Sequence, residues 1–261
     1  SLYDKGINEK KFIATLTSIL KKTPKSSSKL FFNQLFGGRH SKAVLGDLLA
    51  VMMNNSMATY KIAGPLVSIE KEVLTKVCDL IGYGKKSGGT FPTGGSMSNF
   101  MSMVIARDKI NTDFKRTGVT QNLVAYTSEA AHYSTSKNAS FSGIGKDNLR
   151  LIECDKNGRI DLEDFKMKLK SDLAKGLTPF YLNATAGTTV MCSFDNVNQL
   201  APICKKHKIW LHLDGAFGGS VIFSKKYNYL VKGIEQTDSF CFNAHKTLGA
   251  PLSTSVFVVK E

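Results

Sequence analysis

Apolar residues recur along this chain with two alternating periods. After about residue 40, short apolar runs typical of β-strands are separated by segments in which apolar residues recur every three or four positions, as in amphipathic helices. The clearest helical segment begins at Pro65 and is ended by Gly82. Further helices are predicted over residues 162–175 and 197–207, and another after the Gly-Gly-Ser segment 94–96.

Six apolar runs, rich in β-branched and aromatic residues, are typical of strands. They are residues 123–126, 149–152, 180–182, 209–213, 239–242 and 255–259. Helical segments separate most of these runs, and this alternation predicts an α/β fold with a mostly parallel sheet and helices on both faces. Sheets of this kind bind ligands at the carboxyl ends of their strands.

The chain before residue 40 follows a different pattern. Apolar residues between positions 12 and 20 share one helical face, and the polar run 25–29 that follows Pro24 is typical of a linker. We therefore expect residues 1–38 to form an N-terminal helix and linker, and residues 39–261 to form one large domain.

Composition narrows the class of protein. Of the 261 residues, 42% are hydrophobic and 21% are charged, which predicts a folded globular protein without a membrane span. The net charge is +14, but the lysines are scattered singly or in pairs, with no patch rich in arginine and aromatic residues. This pattern favours a basic surface that attracts anionic ligands over a nucleic-acid-binding protein.

Cysteine usage indicates the compartment. Five cysteines occur, an odd number, and no two have CxxC spacing. The sequence therefore predicts neither a disulfide framework nor a metal site, and a reducing cytoplasm is the expected location. All five have apolar neighbours and are predicted to be core residues. The N-terminus has no secretory signal pattern and no initiator Met, so we expect the true start to lie upstream.

Two charged side chains directly follow predicted strands. Lys246 comes just after the run 239–242, and Asp214 comes at the end of the run 209–213. Taken alone, Lys246 is typical of a solvated surface charge and Asp214 of a helix N-cap. A partly desolvated lysine beside another cation is instead a nucleophile for carbonyl groups. A carboxylate with small neighbours can keep the nitrogen of a pyridine cofactor protonated.

Three other segments could line a ligand pocket. Gly94-Gly95-Ser96 precedes a predicted helix, whose first N–H groups can bind phosphate, although such a triplet is common in loops. The segment 183–189 is rich in small and hydroxyl residues and fits either a pocket wall or an ordinary turn. His132 follows a predicted strand, and structural and ligand-contacting roles are equally open for it.

Six segments taken together, in this order and spacing, resemble the group II PLP-dependent decarboxylases (PLP, pyridoxal 5'-phosphate), which include the glutamate, cysteine-sulfinate and aromatic amino-acid decarboxylases. The matching segments are residues 31–35, 94–99, 128–134, 183–189, 210–214 and 243–246. Two positions depart from the family pattern: Ala244 stands where proline is usual, and Gly215 where alanine is usual.

The resemblance implies a role for each matching residue. Lys246 forms the Schiff base with PLP, Asp214 pairs with the pyridinium nitrogen, and His132 stacks on the cofactor ring. The remaining implied contacts are Gly95 and Ser96 with the phosphate, Asn243 and His245 near the phosphate and the lysine, Thr189 and Ala216 in the cofactor pocket, and Asn33 and Gln34 with the substrate.

The resemblance also implies the fold and the activity. The fold is the aspartate-aminotransferase-like large domain, members are homodimers, and segment 31–34 is most similar to the branch that decarboxylates small acidic amino acids such as glutamate, aspartate or cysteine sulfinate. Family chains continue past the lysine through a catalytic loop and a small C-terminal domain, so this chain is expected to be a fragment. An aldehyde synthase, an aromatic or diamino-acid decarboxylase and a non-catalytic fragment are the alternatives.

Overall fold

The computed structural model describes residues 6–26 and 28–261. These residues divide into two units, an N-terminal unit that ends at Gln34 and a larger unit that begins at Leu35. The N-terminal unit contains the predicted helix, α1 (Glu9–Lys22). The side-chain oxygen of Asn8 accepts a hydrogen bond of 2.9 Å from the Lys11 N–H and so caps the first turn.

The larger unit contains seven strands: β1 (Gly88–Thr90), β2 (Leu123–Ser128), β3 (Leu149–Ile152), β4 (Thr178–Thr185), β5 (Trp210–Gly215), β6 (Ser239–Asn243) and β7 (Ser255–Val259). They form one sheet in the order β1-β7-β6-β5-β4-β2-β3. Strands β2 to β6 pair in parallel, and β7 runs antiparallel to both β6 and β1. The predicted α/β fold with a mostly parallel sheet is therefore confirmed.

The helices of this unit are α2 (Ser41–Met53), α3 (Tyr60–Ala63), α4 (Pro65–Leu80), α5 (Gly95–Ile110), α6 (Phe114–Thr117), α7 (Ser134–Phe141), α8 (Leu162–Ala174), α9 (Val197–His207) and α10 (Ala244–Thr247). Short 3-10 turns cover Lys146–Asn148, Gly219–Phe223, Asn228–Val231 and Ile234–Gln236. Helix α4 begins at its proline, and Gly82 follows it with a φ of +77°, a left-handed conformation that favours glycine. No helix among the described residues is both long enough and apolar enough to span a membrane.

The core lies on both faces of the sheet, because alternate residues of each strand point to opposite sides. Tyr126 and Leu182 pack in the cluster that contains residues of α4, α8 and α9. Their strand neighbours Ala125 and Tyr181 pack in a second cluster with Met103 of α5. Strands covered on both faces are apolar along their whole length, which is why they were recognisable as continuous runs in the sequence.

The prediction that all five cysteines are core residues is wrong for two of them. Cys78, Cys204 and Cys241 are buried, but Cys154 is half-buried and Cys192 is exposed. Cys192 lies in the loop after β4, where the neighbouring Val190 is 86% exposed. Apolar neighbours in a loop do not imply burial, because no packed element covers that segment of the chain.

Candidate active site

A cavity of about 370 Å³ lies at the carboxyl ends of β4, β5 and β6. Parallel strands deliver their C-terminal residues to one edge of the sheet, and this is where the sequence predicted a ligand. The cavity is lined by all nine residues expected to contact the cofactor: Gly95, Ser96, His132, Thr189, Asp214, Ala216, Asn243, His245 and Lys246. Asn33 and Gln34 belong to the N-terminal unit, and their substrate contacts stay a prediction.

Lys246 reaches the cavity because β6 ends at Asn243 and the one-turn helix α10 follows immediately. Its side chain is half-buried, and its carbonyl oxygen accepts a hydrogen bond of 2.6 Å from the Gly37 N–H. The neighbouring His245 donates through Nδ1 to the Thr254 carbonyl at 3.0 Å, since a carbonyl oxygen can only accept. Burial lowers the pKa of His245, and this ring is therefore neutral at pH 7.

Asp214 is the carboxylate of the cavity. It lies near the end of β5 and is only 4% exposed. Its Oδ2 accepts a hydrogen bond of 2.6 Å from Asn99 Nδ2, and its Oδ1 accepts one of 3.0 Å from the Ala216 N–H. Both oxygens are thus held by donors, which fixes the orientation of the carboxylate toward the cavity.

His132 follows β2 and is held through one ring nitrogen. Its Nδ1 lies 3.2 Å from the Ser134 N–H and 2.8 Å from the Ser134 hydroxyl. Because the backbone N–H can only donate, Nδ1 accepts, and the proton of the neutral ring is on Nε2. Burial lowers the pKa of His132, the Lys246 charge adds to this effect, and Asp214 opposes it. The ring is therefore neutral at pH 7, with an Nε2–H to donate.

The start of α5 forms another wall. This helix has 16 residues and begins at Gly95, and the first N–H groups of a helix have no partner within it. A Cβ added at Gly95 would lie 2.7 Å from Ala216 Cβ and 3.3 Å from Asn243 Nδ2, so a glycine is needed for this close packing. Free N–H groups at a helix N-terminus are suited to bind a phosphate group.

Asn99 and Thr185 are among the cavity-lining residues that were not predicted contacts. Asn99 lies one turn into α5, where it reaches Asp214, and Thr185 ends β4. The Thr185 hydroxyl is buried and has no hydrogen-bond partner among the residues that the structure describes. A buried hydroxyl without a partner is costly, so a polar ligand is expected to bind it. Both residues lie in segments that carried the family resemblance, and their positions in those segments were the available signal.

The cavity residues fit PLP in their chemistry. A half-buried amine, an oriented carboxylate, a flat neutral imidazole and a helix N-terminus surround one space large enough for a phosphorylated heterocycle. The fold and the site together define a PLP-binding domain of the α/β class.

The chain belongs to the pyridoxal-dependent decarboxylase family. The sequence model for the pyridoxal-dependent decarboxylase conserved domain matches residues 4–261. This match confirms both the family resemblance and the cofactor, PLP, that it implied.

Individual relatives agree with the family. Cysteine sulfinic acid decarboxylase of Homo sapiens is 36% identical over 262 residues, covering 100% of this chain and 53% of that protein. The crystal structure of mouse CSAD has a TM-score of 0.96 at 35% identity, covering 100% of this chain and 55% of that one. A glutamate decarboxylase domain of a Vibrio parahaemolyticus diaminobutyrate-pyruvate transaminase and L-2,4-diaminobutyrate decarboxylase has a TM-score of 0.90 at 26% identity, covering 100% of this chain and 59% of that one. The chain thus spans about half the length of the curated relatives it matches.

Proposed function

We propose that the complete protein is a PLP-dependent carboxy-lyase that decarboxylates a small acidic L-amino acid, such as cysteine sulfinate, glutamate or aspartate, to an amine and carbon dioxide. The observation that carries this proposal is that Lys246, in α10 after β6, and Asp214, in β5, line the same cavity. The cavity is thus lined by an amine, which suits the aldehyde carbon of a pyridine aldehyde, and by a carboxylate, which suits its ring nitrogen.

Each cavity residue has a role in the proposed reaction. When bound, PLP supplies an electron sink for the electron pair left at Cα as carbon dioxide departs. Lys246 is the nucleophilic amine that holds the aldehyde carbon, and Asp214 keeps a proton on the pyridine nitrogen. His132 presents its flat ring and its Nε2–H to the cavity.

The phosphate and the polar edge of the cofactor are assigned to the remaining residues. The N-terminus of α5 at Gly95 and Ser96 binds the phosphate, with Asn243 and His245 beside it. Thr189 and Ala216 form the cofactor pocket, and the unpaired hydroxyl of Thr185 donates to the cofactor. Fixed donors of this kind are effective because they need little reorganisation during the reaction.

Two observations support an acidic substrate. The human and mouse relatives, each at 36% identity, are named for cysteine sulfinic acid. The chain carries a net charge of +14, and a strongly basic surface raises the local concentration of anionic ligands.

The test is carbon dioxide release by the purified complete protein from a panel of L-amino acids. We expect release from cysteine sulfinate, glutamate or aspartate, and at least about a hundredfold less from the Asp214→Asn variant. Release only from aromatic or diamino acids would contradict the substrate proposal. An aldehyde product in place of an amine would identify an aldehyde synthase, and a protein that binds no PLP would refute the enzyme assignment.

We also propose that the complete protein is a cytoplasmic homodimer. The structure describes all thirteen residues of α2, and none of them is buried. Several of them are apolar: Val51 is 72% exposed and Met52 is 80% exposed. Exposed apolar residues on one helix support an interaction with a second copy. Sedimentation should give a dimer that Met52→Glu weakens; a monomeric wild type would contradict this. All five cysteines are free thiols, which supports a reducing compartment.

A further inference from the structure

A chain of buried polar side chains runs behind Asp214. His212 lies two residues earlier on β5 and is fully buried. Its Nδ1 is 2.8 Å from the Ser239 hydroxyl and its Nε2 is 3.0 Å from Asn99 Oδ1. The Ser239 hydroxyl is also 2.8 Å from Trp210 Nε1. These contacts connect the indole of Trp210 to the Asn99 amide that holds Asp214.

The direction of each hydrogen bond follows from the two ends of this chain. An indole N–H can only donate, so the Ser239 hydroxyl oxygen accepts from Trp210 Nε1, and its own proton is available to His212 Nδ1. At the other end Asn99 presents Oδ1 to His212 Nε2, and an amide oxygen can only accept, so Nε2 carries a proton. Burial lowers the pKa of His212 to about 4, so the ring is neutral at pH 7, Nε2–H is its single proton and Nδ1 accepts from Ser239. His212 Nε2–H therefore donates to Asn99 Oδ1.

The opposite direction is excluded at Asn99. If His212 carried its proton on Nδ1, Nε2 would need a donor, and the Asn99 amide would have to present Nδ2 to it. Asn99 Oδ1 would then take the position of Nδ2, 2.6 Å from Asp214 Oδ2, and two oxygens that accept hydrogen bonds would be in contact. The observed orientation is thus the one in which each of these contacts joins a donor to an acceptor.

Asn99 uses both of its amide hydrogens in this orientation. One is donated to Asp214 Oδ2, and the other to the Ser134 hydroxyl at 3.2 Å. The Ser134 hydroxyl in turn donates to His132 Nδ1 at 2.8 Å. A single amide therefore connects the carboxylate and the imidazole of the proposed cofactor site.

We propose that His212 is a positioning residue, whose Nε2–H locks the Asn99 amide in the orientation that holds both Asp214 and, through Ser134, His132. The inference deepens the proposed function and rests on it. His212 does not line the cavity, so it acts on the cofactor through other side chains. Asn99 is the closest of them to Nε2, at 3.0 Å, and Cys241 Sγ is a longer contact, 3.9 Å from His212 Nε2 and 3.8 Å from Asp214 Oδ1.

The first test is the dissociation constant of PLP for two variants of the complete protein. His212→Phe keeps a flat ring but removes the donor, and should weaken PLP binding about threefold to tenfold, the range for a hydrogen bond between neutral groups. His212→Gln keeps an N–H donor and should restore most of the affinity. Tyr181→Phe is the matched control: Tyr181 is fully buried beside His212, but its hydroxyl contacts Ser102, and its loss should leave PLP affinity unchanged.

A double-mutant comparison separates positioning from general destabilisation. If His212 acts through Asn99, adding His212→Phe to Asn99→Ala should not weaken PLP binding further. Additive losses, or equal losses in His212→Phe and His212→Gln, would overturn the proposal, as would wild-type PLP affinity in His212→Phe. A wild-type protein that fails to bind PLP would instead refute the proposed function.

The tautomer of His212 supplies a readout that needs no cofactor, and it decides the case if His212→Phe does not fold. The chain has five histidines, so selective ¹⁵N labelling gives few signals. We expect one neutral histidine with its proton on Nε2 that exchanges slowly with solvent, and that is absent in His212→Gln. A neutral His212 protonated on Nδ1 would refute the proposal.

Discussion

The two glycines at the start of α5 allow a test of whether close packing of this wall of the cavity is needed for PLP binding. Gly94 and Gly95 are adjacent, but their surroundings differ. A Cβ at Gly95 would lie 2.7 Å from Ala216 Cβ, whereas a Cβ at Gly94 would meet nothing within 4 Å. The φ of Gly94 is 166°, an extended conformation that any residue adopts. We therefore predict that Gly95→Ala is damaging and Gly94→Ala is tolerated.

The magnitude follows from the contact distance. Carbon atoms in contact are normally about 3.5–4.0 Å apart, so the start of α5 and the Ala216 loop must separate by about 1 Å. Overpacking of this size costs about 1–3 kcal/mol of unfolding free energy. The displaced atoms form the wall of the cavity, so PLP affinity should fall at least about tenfold, which corresponds to about 1.4 kcal/mol.

Two measurements check this prediction: urea unfolding without cofactor, and PLP titration followed by the absorption of the lysine-bound cofactor. Gly95→Ala should lose stability and affinity, and Gly94→Ala should keep both within about 0.5 kcal/mol. Normal PLP affinity in Gly95→Ala would refute the close packing of this wall. Equal damage in both variants would show that the loss comes from helix propensity or loop flexibility.

Three further predictions use other parts of the larger unit. Lys246→Ala should prevent borohydride from trapping PLP on the protein, as followed by mass spectrometry; an adduct on another lysine would contradict the assignment. Asp172→Asn should lower the free energy of unfolding, measured in urea, by about 3 kcal/mol, because this carboxylate is 3% exposed and binds Arg150 at 3.1 Å. Asp113→Asn is the control at an exposed ion pair and should cost about 0–1 kcal/mol. Equal costs for the two variants would contradict a stabilising role of the buried ion pair. Burial lowers the pKa of His212 from an ordinary 6.5 to about 4, so the unfolded chain binds this proton first as the pH falls. The free energy of unfolding should therefore decrease by up to about 3 kcal/mol between pH 6.5 and pH 4. The decrease should be smaller in His212→Gln, and an identical pH profile of the two proteins would contradict the prediction.

Much of the fold could be predicted from local pattern. The run 255–259 coincides with β7, and the helix predicted over 197–207 coincides with α9. Burial on both sheet faces leaves a continuous apolar signal, and an amphipathic helix leaves a period of 3.6 residues. The short strand β1 was not predicted, since Gly88 and Gly89 carry no apolar pattern, and a Cβ at Gly89 would lie 2.3 Å from the Phe257 carbonyl oxygen.

The placement of Lys246 and Asp214 at the ends of strands could be predicted from local pattern, because a charged residue at the end of an apolar run is a local feature. The order of the strands and the contacts across the sheet depend on tertiary packing. Asn99 is 115 residues from Asp214 and 113 from His212, yet it contacts both. Such pairings depend on how α5 packs against β5, which is a sum of many weak contacts over the whole core and leaves no short-range signature in the chain.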